Sequence, residues 1–248
     1  MFDVQRHGDG TATVTIDRAE KLNAMDVAFF EALPRTLAEL DADPEVTACV
    51  LTGAGRAFSA GGDIDSFHAL DGVDAYRRHL RLVFDSFHSV ERAETIVIGA
   101  INGIAYGGGT ELTLACDMAV ASEQARFAFK EPTMGLMPGF GVLRGPAQIG
   151  PAWTRRLATT GETIDARTAE RIGLVQETVP HDELLERALD LARSIARHPH
   201  VAVRSAKHAV NQHITAPGLA GAVEATALLF TTDGHKERVQ AFLNGRSE

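Results

Sequence analysis

A chain of 248 residues, 45% apolar and 23% charged, has the composition of a soluble globular protein large enough to bury a full core, as one large domain or one domain with a small appendage. Lysine and arginine total 24 against 33 aspartates and glutamates, a net charge of −9, which argues against nucleic acid or an anionic membrane surface as the main partner. The first residues, MFDVQRHGDG, form no apolar signal segment, and no stretch approaches the ~18 apolar residues of a membrane span, so the expected location is cytoplasmic. Cys49 and Cys116 sit in apolar surroundings with no His or Cys at ligand spacing, which predicts buried free thiols rather than a disulfide or metal pair.

In chain order, Thr11–Ile16 is β-branched and alternating and predicts an early strand. Val27, Phe30, Leu33, Leu37 and Leu40 recur at helical spacing over residues 26–42, with Asp26 as cap and Pro34 expected to weaken or kink the middle. Val46–Thr52 is a continuous apolar run of the buried parallel kind. It opens into Gly53-Ala-Gly-Arg-Ala-Phe-Ser-Ala-Gly-Gly-Asp-Ile64, small residues that permit unusual backbone angles, with Asp63 available to cap the next element. A dinucleotide-binding turn fits poorly, because Gly53-x-Gly55-x-x-Phe58 lacks the third glycine and no helix comes directly after it. Tyr76, Leu80, Val83, Phe84 and Phe87 mark a helix, with His68, His79 and His88 expected among its solvated residues.

Thr95–Ile101 is a short apolar run closed by Asn102-Gly103 and predicts a buried strand. Gly107-Gly108-Gly109 then lead into Thr110-Glu111-Leu112, a helix start entered through residues without side chains. Such a start presents backbone N–H groups and a positive dipole end to whatever lies in front of it. Glu111, three residues after Gly108, falls on the same side about one turn deeper. On its own the stretch fits close packing and a dipole-favoured glutamate as well as it fits an acid beside an anion hole. Gly61-Gly62 repeats the geometry of strand, glycine turn and free N–H, so two turns could offer two donors to one oxygen.

Met118–Ala121 predicts another strand, and Glu131, between Lys130 and Pro132, has the ordinary reading of a surface partner for Lys130. Gly135–Val142 is a Gly- and Pro-rich loop of the kind that lines sites. Helices are expected over 151–160 and 165–172, a strand over 174–179, then helices over 181–197, 200–213, 218–230 and 234–243. No internal sequence repeat is visible, and the change to helices near residue 140 suggests a core followed by a helical C-terminal part.

Several of these segments in order resemble the enoyl-CoA hydratase/isomerase (crotonase) family: Lys21-Leu22-Asn23-Ala24, Ala57-Phe58-Ser59-Ala60-Gly61-Gly62-Asp63-Ile64, Asn102-Gly103, Gly107 through Leu112, Asp117, Glu131, Gly135, Pro138-Gly139, Ala169–Val175 and the tail from Phe230 to Phe242. The resemblance implies an α/β fold, a ClpP/crotonase-like spiral of ββα repeats over residues 1–190, with a helical region over 191–248 for oligomerisation and site capping. It implies homotrimers or dimers of trimers and acyl-CoA thioester substrates, with coenzyme A part of the substrate and no separate cofactor or metal. The amides of Gly62 and Gly108 would form an oxyanion hole, and Glu111 and Glu131 would hold one water for syn hydration of a trans-2-enoyl-CoA. Lys21, Leu22, Arg56, Ala60, Asp63, Ile64, Pro138 and Lys236 are the further substrate-binding candidates.

Two departures stand out. Asp65 occupies the position where hydratases often carry a CoA-binding lysine, which leaves Lys21, Arg56 or Lys236 as candidates for the phosphates; Phe140-Gly-Val-Leu-Arg144 replaces a Gly-Gly-Thr-Gln-Arg-type run beside the acyl group. The alternatives are a double-bond isomerase or a hydrolase on the same scaffold, and a binding protein of that fold without catalysis.

Overall fold

The computed structural model describes residues 1–68, 70–214 and 219–245. Strands β1 (Phe2–Arg6) and β2 (Thr11–Ile16) form an antiparallel hairpin, which leads to helix α1 (Val27–Asp41). Asp26 caps α1 by accepting the Phe29 N–H at 2.9 Å. The helix runs on through Pro34, because Phe29, Phe30, Leu33, Leu37 and Leu40 are all buried and their packing outweighs the missing N–H.

Three units then repeat one backbone path. Strands β3 (Ala48–Gly53) and β4 (Ala57–Ser59) lead to α2 (Ile64–His68) and α3 (Val73–Arg92); β5 (Ile96–Ile101) and β6 (Ile104–Tyr106) lead to α4 (Gly108–Ala115); β7 (Met118–Ser122) and β8 (Arg126–Ala128) lead, through a 3-10 turn at Glu131–Met134, to α5 (Gly141–Gln148). The first strand of each unit joins one sheet and the second joins another. β3, β5 and β7 are mutually parallel in a sheet ordered β1-β2-β3-β5-β7-β10, while β4, β6 and β8 lie side by side in a second sheet completed by β9 (Ile164–Asp165). The result is a spiral of ββα units, as the resemblance implied. No residue pattern repeats because the units share a path, not side chains.

Buried asparagines stitch the corners between the paired strands. Asn102 donates to Gly53 O and Gly55 O, each at 2.9 Å, and accepts the Gly53 N–H. Asn23 donates to Ala54 O at 2.9 Å and Ala57 O at 2.7 Å. It does so from a left-handed backbone (φ 56°), beside Leu22 at φ 52°, an uncommon conformation for residues with a Cβ.

Helices α6 (Gly150–Thr160) and α7 (Ala166–Arg171, capped by Asp165) precede a short edge strand β10 (Glu177–Val179) and then α8 (Leu184–Ala196). Leu174 and Val175, expected in the strand, are buried core residues just before it. Leu184, Ala188, Leu189 and Ala192 of α8 cover the outer face of the large sheet against Val50, Ile98, Ala100 and Val120. The chain continues through α9 (His200–Ile214), α10 (Leu219–Phe230) and α11 (Asp233–Asn244). Cys49 and Cys116 are buried free thiols.

Candidate active site

The two glycine turns meet. Thr110 Oγ1 donates to Ala105 O at 2.6 Å and Gly107 N–H to Ala128 O at 2.7 Å, which pins the start of α4 to β6 and β8. A methyl built on Gly61 would lie 3.2 Å from Gly108 N, and one built on Gly108 would lie 3.6 Å from Gly62 N. Met25 pairs with the second turn through bonds to its neighbours, Met25 N–H to Gly61 O and Asp63 N–H to Met25 O, both 2.8 Å, so the Gly62 N–H lies outside that pairing. Gly108 opens α4, where the first-turn N–H groups have no intrahelical acceptor. Both amides therefore serve one small region.

Two carboxyl groups share it. Glu111 is the one charged residue of α4, a helix buried from Gly109 to Ala115, and its Oε1 accepts the Gly141 N–H at 2.8 Å from the start of α5. Glu131 opens the 3-10 turn after β8. Lys130 is not its partner: that ammonium donates to Gly161 O at 2.9 Å and Thr163 Oγ1 at 3.0 Å and lies over the Tyr106 ring. The Glu131 Oε1 rests against Gly107, where a methyl would come within 2.9 Å, and its buried Oε2 has no hydrogen-bond partner among the described residues. Burial lifts Glu111 to about 7, against the pull of the Gly141 and Phe140 amides. Burial also raises Glu131 well above the usual carboxylate range, and the charge of Glu111 adds to the rise. Two carboxyls in one low-dielectric space favour holding one proton between them.

Glu111, Glu131, Gly62, Gly108, Ala60 and Ile64 line a single cavity of about 170 Å³. Its apolar wall comes from Phe67, Leu80, Val83, Phe84 and Phe87, with Thr226 and Phe230 of α10 closing it. Phe230 stacks on Tyr76 at 4.5 Å and meets His235 edge-on at 4.9 Å, and His235 Nδ1 is 2.7 Å from Met134 O, so α10 and α11 are fastened over the site. Local pattern gives no sign of these groups. A run of hydrophobics ending at Phe230 shows a helix but not the cavity it covers.

The expectation of solvated histidines needs correction. His88 is 5% exposed, with Nδ1 2.7 Å from Glu91 Oε2 and 3.2 Å from the buried Arg144 guanidinium. His79 is half-buried against Phe30 and lines the cavity, and burial lowers its pKa. His68 is exposed as expected. Phe140, from the departing run, is fully buried against Phe84, Phe87 and His88, so it backs two of the rings that line the cavity without lining it itself.

Lys21, Leu22, Arg56, Asp63, Pro138 and Lys236 stand outside the cavity lining. Leu22 O accepts the Ala60 N–H at 2.9 Å, which holds the Lys21–Ala24 segment against the Gly61-Gly62 turn. Lys21 Nζ is 3.1 Å from Asp65, both about half exposed, so two of the residues singled out from the sequence pair with each other. Arg56 and Lys236 are exposed. Asp63 is a buried anchor, 2.8 Å from Arg18, which also reaches Asp26 at 3.3 Å. Arg18 is a supporting residue that no motif marks. Pro138 is buried, and its carbonyl accepts the Val142 N–H.

A family profile described as enoyl-CoA hydratase/isomerase matches residues 6–248. The chain is 39% identical over 237 residues to a probable enoyl-CoA hydratase of Rhizobium meliloti (strain 1021), an alignment spanning 94% of this chain and 91% of that protein. It is 35% identical over 240 residues to a short-chain-enoyl-CoA hydratase of Clostridium acetobutylicum, spanning 95% and 92%. An enoyl-CoA hydratase/isomerase from Mycobacterium paratuberculosis has a solved structure that superposes with a TM-score of 0.89 at 30% identity, over 97% of each chain. From the spiral of ββα units, the paired glycine turns and this similarity along nearly its whole length, the chain belongs to the enoyl-CoA hydratase/isomerase (crotonase) family.

Proposed function

We propose that this protein is an enoyl-CoA hydratase, a carbon–oxygen lyase that adds water reversibly and syn across the double bond of a trans-2-enoyl-CoA to give a 3-hydroxyacyl-CoA. The observation that carries this reading is the pair of acids, buried Glu111 and half-buried Glu131 with its Oε2 enclosed, in one cavity with the Gly62 and Gly108 amides. The names of the relatives point the same way. In this reading Glu111, ionised, takes a proton from water as the oxygen bonds to the β-carbon. The π electrons move onto the thioester oxygen, where two preorganised N–H donors receive the charge; removing one such donor typically costs about 2.7–4 kcal/mol of transition-state stabilisation. Glu131, protonated, delivers its proton to the α-carbon as the enolate collapses, and the proton Glu111 gained returns to the pair. The step needs side chains, amides and water alone, with coenzyme A as part of the substrate.

Lys21, Arg56 and Lys236 are the basic groups we assign to the CoA phosphates, with Lys21 exchanging Asp65 for phosphate. Residues 191–248, of which α10 and α11 close the site, are assigned to contacts between copies in a trimer or dimer of trimers, and the cytoplasm is the location that fits the bacterial relatives. The test is a panel of trans-2-enoyl-CoA thioesters of increasing length with product identification. Loss of enoyl absorbance with 3-hydroxyacyl-CoA as product is expected. A shifted double bond with no hydration would replace this reading with the isomerase.

A further inference from the structure

Resting on that reading, we infer that the acyl pocket takes a short enoyl group that bears an uncharged oxygen, a hydroxyl or carbonyl, which Thr226 and His79 receive by hydrogen bonding. The cavity's volume of about 170 Å³ sets the length. An apolar cavity of about 150 Å³ is filled by benzene, so an acyl group of roughly six carbons is the scale that fits.

The polarity of one wall sets the chemistry. Where α3 and α10 face the cavity, they present Leu80, Val83, Phe84 and Phe230 together with two polar groups. Thr226 is 3% exposed, and its Oγ1 is buried with no hydrogen-bond partner among the described residues. A methyl on Gly139, itself part of the lining, would lie 3.1 Å from that oxygen. Valine has the same shape and leaves no orphaned hydroxyl, so packing alone gives no reason for threonine here. His79 contributes a ring set edge-on to Phe30 at 5.9 Å and near Phe67, and burial in this apolar setting favours its neutral form, able to donate at one nitrogen and accept at the other.

The same wall excludes a carboxylate. Lys130 is the one cation lining the cavity among the described residues, and its ammonium is held by Gly161 O and Thr163 Oγ1. A carboxylate against Thr226 and neutral His79 would be buried without a countercharge beside two acids. A hydroxyl or carbonyl meets no such penalty.

The test compares three six-carbon substrates on the wild-type protein and on Thr226→Val and His79→Leu: trans-2-hexenoyl-CoA, its ω-hydroxy derivative and the dicarboxylic 2-enoyl-CoA of the same length, with crotonyl-CoA as reference. The ω-hydroxy substrate is expected to exceed the other two in kcat/KM at least 10-fold. Thr226→Val should cut that preference at least 5-fold, with its Tm at or above wild type because the orphaned hydroxyl is gone. His79→Leu should erode the same ratio. Equal or greater kcat/KM for the plain or dicarboxylic chain overturns the proposal, as does a Thr226→Val that lowers all substrates equally. If crotonyl-CoA itself is not hydrated, the hydratase reading falls and this one with it; if it is hydrated and the hydroxyl brings no advantage, only this one falls.

Discussion

The Gly141 amide donates to Glu111 Oε1 at 2.8 Å, so the acid that α4 carries into the cavity is gripped by the N-terminus of α5. A glutamine at 111 can accept the same bond, which makes Glu111→Gln a change of chemistry with little change of shape. Crotonyl-CoA hydration should fall at least about 100-fold in Glu111→Gln and, separately, in Glu131→Gln. The double variant should lose much less than the product of the two, since the proposed mechanism uses both acids together in a single hydration. Loss of enoyl absorbance measures all three, and a fully multiplicative loss would separate the two residues into independent roles.

Activity should depend on pH with two limbs. The proposed mechanism works with Glu111 ionised and Glu131 protonated, so kcat/KM should rise as Glu111 ionises near pH 7 and fall again once the raised Glu131 loses its proton. A flat profile across that range would contradict the assignment.

The same shifts predict an inverted effect on stability. Folded-state values raised above the ordinary 4.5 mean that the folded site keeps protons the unfolded chain has released. The stability held by a protonated Glu111 is full below about pH 4.5 and is lost as pH climbs through 7, by about 3 kcal/mol. Glu111→Gln removes this cost, so its Tm relative to wild type should increase steadily from about pH 5 to about pH 8. A Tm difference that stays constant with pH would sink the prediction.

Gly107 combines two demands: a backbone at φ 51° and ψ −121°, and the Glu131 carboxyl within 2.9 Å of where a Cβ would stand. Gly107→Ala should destabilise the fold by about 1–3 kcal/mol and lower kcat at least 10-fold by displacing the acid. Gly8, also at positive φ (72°) but with nothing within 4 Å, is the control. Gly8→Ala should lower Tm without touching kcat.

Lys207 of α9 is buried, donating to Val90 O at 3.1 Å, Thr95 O at 3.0 Å and Asp117 Oδ2 at 2.7 Å. Asp117 in turn accepts the Val97 N–H at 2.8 Å, so one lysine ties α9 to the end of α3 and the start of β5. Lys207→Met strands a buried carboxylate and should cost about 3–5 kcal/mol by denaturant unfolding. Adding Asp117→Asn should restore part of it.

The parts of the site legible from sequence are those whose cause is local. Glycines at 61–62 and 107–109 stand between an apolar run and a polar start, and Glu111 lies at a fixed helical offset from Gly108, so spacing shows each turn and its acid; that the two turns meet depends on the pairing of β4 with β6. Glu131 is marked by resemblance, whereas its neighbours suggest a bond to Lys130 that two oxygens from residues 161 and 163 claim instead. Thr226, Phe230 and His79 reach the cavity from helices far apart in the chain, and nothing local distinguishes them from ordinary core or surface residues. His88 misleads for the same reason: the groups that bury it, Arg144 and Phe140, come from α5 and the residue before it.

One oxygen seated between two amides is the centre of the proposed mechanism, and the structure of a complex with an unreactive acyl-CoA such as acetoacetyl-CoA tests it most directly. The thioester oxygen is predicted to lie about 2.7–3.1 Å from both Gly62 N and Gly108 N, with the acyl chain between Glu111 and Glu131. An acyl group bound elsewhere, or an oxygen in contact with neither amide, would contradict it.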